Sequence, residues 1–186
     1  MSIKDNSANP APLGLLGFGL TTVLLNIHNA GIYELNSMIM GMGIFYGGIA
    51  QLIAGIQESK KGNTFGATAF TSYGAFWLSL VAIWLLPSLG IAQAATPGAM
   101  GFYLLLWGIL TFGLFVAVLK GKLIGKLVFG SLTLLFLLLA ISDFTGSHLI
   151  HTIAGIEGII CGSLAIYEGL GIIINEKYNK EVLPMG

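Results

Sequence analysis

The chain has no arginine, one cysteine and few charges of either sign: eight lysines face eight acidic residues, and charged residues make up 9% of its 186 positions. A soluble domain carries about a quarter charged residues, so a cytosolic protein of this composition would associate through its apolar surface. A net charge of zero excludes the basic face that nucleic acid requires. With Cys161 alone there is neither a disulfide framework nor a thiolate metal cluster, and the thiol reads as a small buried hydrophobe. Met1–Ala8 lacks the basic, apolar, small-residue order of a cleavable leader. Nucleotide-binding loops, catalytic triads and metal-ligand spacings are also missing. The expectation is a protein that is not an enzyme and needs no cofactor or metal.

What the chain has is apolar residues, 55% of the total. They fall into six runs, about 13–30, 38–57, 67–86, 99–119, 124–141 and 149–174, each able to cross a bilayer as a helix. Glycine, proline and lysine clusters separate them, among them Lys60-Lys61-Gly62-Asn63, Pro87, Thr96-Pro97-Gly98 and the stretch from Asp143 to Ser147. The alternation expected of barrel strands is missing. The fold class is therefore all-α: a polytopic membrane protein with six transmembrane helices in one domain, residues 1–186.

The lysines orient it. Lys4, Lys60, Lys61, Lys120, Lys122, Lys126, Lys177 and Lys180 fall in the N-terminal tail, the second and fourth connections and the C-terminal tail. With six spans all of these lie on one side, which the positive-inside rule makes cytoplasmic. Both termini are expected in the cytoplasm and the chain in the inner membrane.

A shift of 84 residues pairs Gly14 with Gly98, Gly17 with Gly101, Phe18 with Phe102 and Gly74 with Gly158. Such a repeat would set three spans against three in opposite orientation, with a solute path between the halves. The 27 glycines concentrate within the spans at helical spacing. They either let helices pack closely or make room for a solute.

Polar residues inside the spans are candidates for lining such a path. Phe18, Thr22, Asn26 and Asn29 share a helical face; Gln51 lies in the second run and Thr71 and Tyr73 in the third. Buried membrane amides must find partners in other helices or in water. Glu157 is read as the one carboxyl well inside a span, either a proton relay or a structural hydrogen-bonding group. His28, His148 and His151 sit near span ends and read as interfacial polar groups.

Asn9-Pro10-Ala11-Pro12-Leu13-Gly14-Leu15 stands at the start of the first run. Asn9 is suited to cap the helix and Pro10 to its first position, and the free amides there would favour an anion. This segment resembles the Asn-Pro-Ala-Pro-Leu-Gly-Leu signature of the acetate uptake transporter family, which includes bacterial succinate–acetate permeases. The resemblance continues through Gly43 to Gln51, Lys60 to Gly66, Phe70 to Gly74, Ser131-Leu132-Thr133 and Val182-Leu183-Pro184. It implies six helices per subunit, a homo-hexamer, and a separate path in each subunit for acetate and related small carboxylates with protons. It also implies an apolar constriction at Phe18, Tyr73 and Leu132, and it leaves channel and proton-symport behaviour equally open. Thr22, Asn26, Gln51 and Tyr73 are expected to donate hydrogen bonds to the carboxylate in place of water. Rival readings are a urea or amide channel and a membrane scaffold that transports nothing.

Overall fold

The computed structural model describes residues 8–186. Six helices long and apolar enough to cross a membrane follow one another: α1 (Ala11–Asn29), α2 (Ser37–Lys60), α3 (Thr64–Ser88), α4 (Pro97–Val118), α5 (Leu123–Thr145) and α6 (His148–Tyr178). All six correspond to the runs read from composition. Their ends reach a few residues further, because capping residues extend a helix past its apolar stretch. Asn36, Asn63, Thr96 and Ser147 each accept a backbone N–H at a helix start. Two breakers prove to be helical: Pro87 lies in the last turn of α3, and Asp143 lies in α5, which ends at the left-handed Gly146.

Two connections show which segments meet at one end. Lys61 Nζ, after α2, donates to the Ala8 carbonyl at 3.0 Å. The C-terminal segment returns to the start of α5, where Leu123 and Ile124 N–H donate to the Gly186 and Met185 carbonyls, both at 3.2 Å. No side chain caps that helix start, so the returning strand satisfies N–H groups that would otherwise lack partners. Asn175 holds the strand by bonding to Val182 N, Leu183 N and Leu183 O, and Met185 is only 4% exposed. The described lysine-bearing segments thus gather at one end of the bundle, and the lysine-free connections lie at the other; Lys4 lies outside the described residues.

α1 packs most closely on α6, α4 on α5, α2 on α3, and α5 on α6. The α1–α6 seam is made of glycine. A methyl group on Gly19 would lie 2.7 Å from the Gly162 carbonyl oxygen, and one on Gly162 the same distance from that of Gly19. Backbones therefore touch where side chains would keep them apart. α3 and α4 meet instead through rings: Phe76 stacks on Tyr103 at 5.8 Å and meets Trp107 edge-on at 5.1 Å. Helix starts repeat at near-constant spacing, with Ala11 to Pro97 and Ser37 to Leu123 each 86 residues apart and Thr64 to His148 84. The paired residues are not equivalent, however: Phe18 is 6% exposed and Phe102 63%.

α2 departs from a regular α-helix. Gly43–Ala50 is π-helical between two α-helical ends. Gly43, Gly47 and Gly48 lie against Val81, Trp77 and Leu78 of α3. The wide turns end at Gln51, which is fully buried. A π segment interrupting an α-helix is a recurrent feature of functional sites.

Candidate functional site

The interior face of α1 is a stripe at helical spacing: Leu15, Phe18, Thr22, Leu25 and Asn29. Each end of this stripe lines a cavity. Leu25 and Asn29, with His28, Phe76, Asp143 and His151, border a vestibule of about 260 Å³ at the lysine-free end. Phe18, with Gln51, Phe70, Tyr73, Phe129 and Leu132, borders a cavity of only about 20 Å³ deeper in the bundle. That is room for about one water. The path beside Phe18 is therefore closed in this conformation.

The three residues of the expected constriction meet. Phe18 and Tyr73 rings are 5.7 Å apart, and both line the small cavity with Leu132. Phe129 extends the aromatic wall, 6.4 Å from Tyr73 and 5.3 Å from Phe65. Gly14 admits Phe70 to the site, because a methyl group there would overlap the ring.

The hydrogen-bond inventory of this region differs from the expectation of donors awaiting a carboxylate. Tyr73 OH is 3.0 Å from Thr111 Oγ1. Thr111 spends its own proton on the Trp107 carbonyl at 2.7 Å, so Tyr73 is the donor and has no proton to offer a solute. Gln51 Nε2 donates to the Gly47 carbonyl at 2.7 Å. Asn26 Nδ2 donates to the Thr22 carbonyl at 2.9 Å, and Asn26 Oδ1 accepts from Asn29 at 3.0 Å. The buried polar atoms left without a partner on this side are Gln51 Oε1, an acceptor, and Thr22 Oγ1.

The remaining candidates lie elsewhere. Thr71 is exposed on α3 and packs on α2 in the space left by Gly55, so it is not a lining residue. Glu157 lines neither cavity; it is half-buried on α6 with Oε2 unpartnered. Nor is it the only carboxyl within a span, since Glu168 shares α6 and Asp143 lies in α5. Asn9 accepts from Ala11 N–H at 3.1 Å, but the capping position belongs to Pro10. The Pro10 carbonyl takes the N–H groups of Leu13 and Gly14. Asn9 and Pro12 border a groove of about 580 Å³ with Leu13, Leu16, Tyr46 and Lys177. Leu13 points away from the Phe18 stripe, so the signature is divided: Asn9, Pro12 and Leu13 frame the back of α1, while Gly14 and Leu15 face the small cavity.

Thr111, Phe129 and Phe76 were not foreseen. Phe129 and Phe76 lie in plain apolar runs, where nothing separates an interior ring from a lipid-facing one. Thr111 carried a usable signal: a hydroxyl four residues after Trp107 bonds its own helix.

Fold and site together define a six-helix membrane protein with a small aromatic-walled cavity in its interior and a wider one toward one end. The chain belongs to the GPR1/FUN34/yaaH family, whose pattern matches residues 2–184. It is 56% identical over 179 residues to the succinate-acetate/proton symporter SatP of Escherichia coli (strain K12), covering 96% of this chain and 95% of that protein. It is 44% identical over 168 residues to ammonia transport outward protein 2 of Saccharomyces cerevisiae, covering 86% of this chain and 59% of the yeast protein. Its fold superposes on the structure of the bacterial acetate channel SatP with a TM-score of 0.96 and 55% identity, over 97% of this chain and all of that one.

Proposed function

We propose that this chain carries acetate and related small carboxylic acids across the cytoplasmic membrane, with its lysine-rich end and both termini in the cytoplasm. On this reading each subunit of a homo-hexamer has its own path, with Phe18, Tyr73 and Leu132 as the barrier. The observation that carries the reading is a closed, ring-walled cavity bordered by Phe18, Tyr73 and Leu132, with the buried Gln51 beside them.

Two buried polar atoms of this region lack partners, Thr22 Oγ1, which can donate or accept, and Gln51 Oε1, which only accepts and supports crossing as the protonated acid. A carboxylate brought beside Gln51 Oε1 would set acceptor against acceptor, while losing hydration worth several kcal/mol. A protonated acid offers an O–H to the same atom and sheds little hydration. The acid therefore crosses the constriction with its proton. Taking a carboxyl pKa of about 4.3, about 1 molecule in 500 is neutral at pH 7, so flux rises as the outside is acidified.

The test is uptake of labelled acetate by liposomes containing the purified protein, driven either by a proton gradient or by membrane voltage alone. Accumulation that follows the proton gradient and ignores voltage is the expected result. Accumulation driven by voltage alone would establish an anion channel and reject crossing with a proton. Ammonia is a second reading, favoured because its N–H also suits a lone acceptor and because a yeast relative bears that name. Labelled methylammonium in the same liposomes separates the two. Urea uptake, or no uptake of any solute by intact oligomers, would return the amide-channel or scaffold reading.

A further inference from the structure

The outer vestibule holds titratable groups that the constriction does not use. His28 of α1 and His151 of α6 both line it, with Asn29 and Asp143. His148 joins Ser142, Asp143 and His151 around an adjoining recess of about 260 Å³. From α3 and α4 the vestibule receives Phe76, Leu80, Trp84, Met100 and Leu104, none of them titratable. In the α1–α2 connection Glu34 is exposed and does not line the vestibule. Tyr33 in that connection donates its hydroxyl to the Leu24 carbonyl, and burial raises its pKa, so it stays neutral.

The hydrogen bonds settle which ring nitrogen faces the vestibule as a free group. His28 Nδ1 lies 2.8 Å from the Tyr33 carbonyl, which only accepts, so Nδ1 carries the hydrogen. His151 Nδ1 lies 3.3 Å from Ser142 Oγ. Ser142 Oγ also lies 3.4 Å from the Ser147 carbonyl, so either Ser142 or Nδ1 can be the donor, and in both cases the contact is made by Nδ1. Neither Nε2 atom has a partner among the described residues. When the rings are neutral, His28 Nε2 presents a lone pair and Asp143 supplies the only charge among the residues lining the vestibule, so a carboxylate is repelled. When both rings are protonated, each Nε2 becomes a charged N–H donor, the kind that holds a carboxylate best. Two positive rings then outweigh one negative Asp143.

We infer that His28 and His151 form a proton-operated selector at the outer mouth, which takes up a small carboxylate anion when protonated and turns it away when neutral. The inference rests on the carboxylate reading above. It adds the step before the constriction: the anion is concentrated where acid outside makes its protonation easiest.

The experiment compares the wild-type chain with a His28→Asn/His151→Asn double variant in liposomes, reading the KM for labelled acetate at pH 6 and pH 8. Asparagine keeps an N–H where Nδ1 sits and removes Nε2. Any effect of pH on acetate itself is common to both proteins and cancels in the comparison. The rise in KM from pH 6 to pH 8 should be about fivefold greater in the wild type, the scale of one charge felt at about 4 Å in a wet site. An equal rise in both proteins overturns the inference. Should the variant not assemble, the ring resonances of His28 and His151 in the wild-type protein decide it. They should shift saturably with acetate at pH 6 and not at pH 8, and no shift at pH 6 overturns it. A wild-type protein that moves no acetate defeats the transport reading instead, and the ring resonances still judge the selector.

Discussion

Leu132 and Tyr73 face the same small cavity but act on it differently. Leu132 is 2% exposed and contributes only bulk, so Leu132→Ala enlarges the narrowest part of the path. The variant should pass lactate faster relative to acetate than the wild type does, at a stability cost of about 2–5 kcal/mol. Unchanged selectivity in a liposome flux assay would remove Leu132 from the barrier. Tyr73 contributes bulk as well, and its hydroxyl is bound to Thr111. Tyr73→Phe should therefore leave acetate flux within about twofold while lowering stability by about 0.5–1.5 kcal/mol, one buried hydrogen bond. A large loss of flux with unchanged stability would show that the hydroxyl serves the solute after all.

For the elements, the decisive contact is that of α1 with α6. Gly158 opens a place for the Asn26 side chain, and a methyl group there would overlap the amide. Gly158→Ala should thus push α6 from α1, with an overpacking cost of about 1–3 kcal/mol, read as a lower melting temperature of the purified protein. Gly41→Ala is the control, because a methyl group at Gly41 meets nothing within 4 Å, and its melting temperature should not fall. Most glycines within the spans thus prove to be packing devices. Gly14 also serves the site, since its bare backbone admits Phe70 to the cavity wall. The π-helical middle of α2 does similar work by another means, delivering Gln51 to the interior.

Across the whole molecule, the lysine-rich end is tied together by the returning C-terminal strand. Asn175 makes three of the bonds that hold this strand, and the strand satisfies the first N–H groups of α5. Asn175→Ala should free it at a cost of about 1–3 kcal/mol. Hydrogen exchange at the Leu123 and Ile124 amides should then speed up. Exchange as slow as in the wild type would mean that Met185, buried against Gly171, holds the strand unaided. α5 carries Leu132 two turns into its length, so this tie also steadies one wall of the constriction.

The six spans, their order and the gathering of lysines at one end were legible in the chain, because partition between hydrocarbon and water depends on local composition alone. So was the meeting of Phe18, Tyr73 and Leu132, through a resemblance carried by short stretches. The state of the polar groups was not. Asn26 and Gln51 look alike as membrane amides, but each turns its N–H back onto the carbonyl four residues earlier. Tyr73 commits its O–H to a hydrogen bond with a threonine 38 residues away on another helix. Which atom of an amide stays free, and whether a ring faces lipid or a cavity, follows from how neighbouring helices rotate against each other. Packing sets that rotation through contacts distant in the chain, so only the tertiary structure decided that the Asn26, Gln51 and Tyr73 donors are already engaged within the protein.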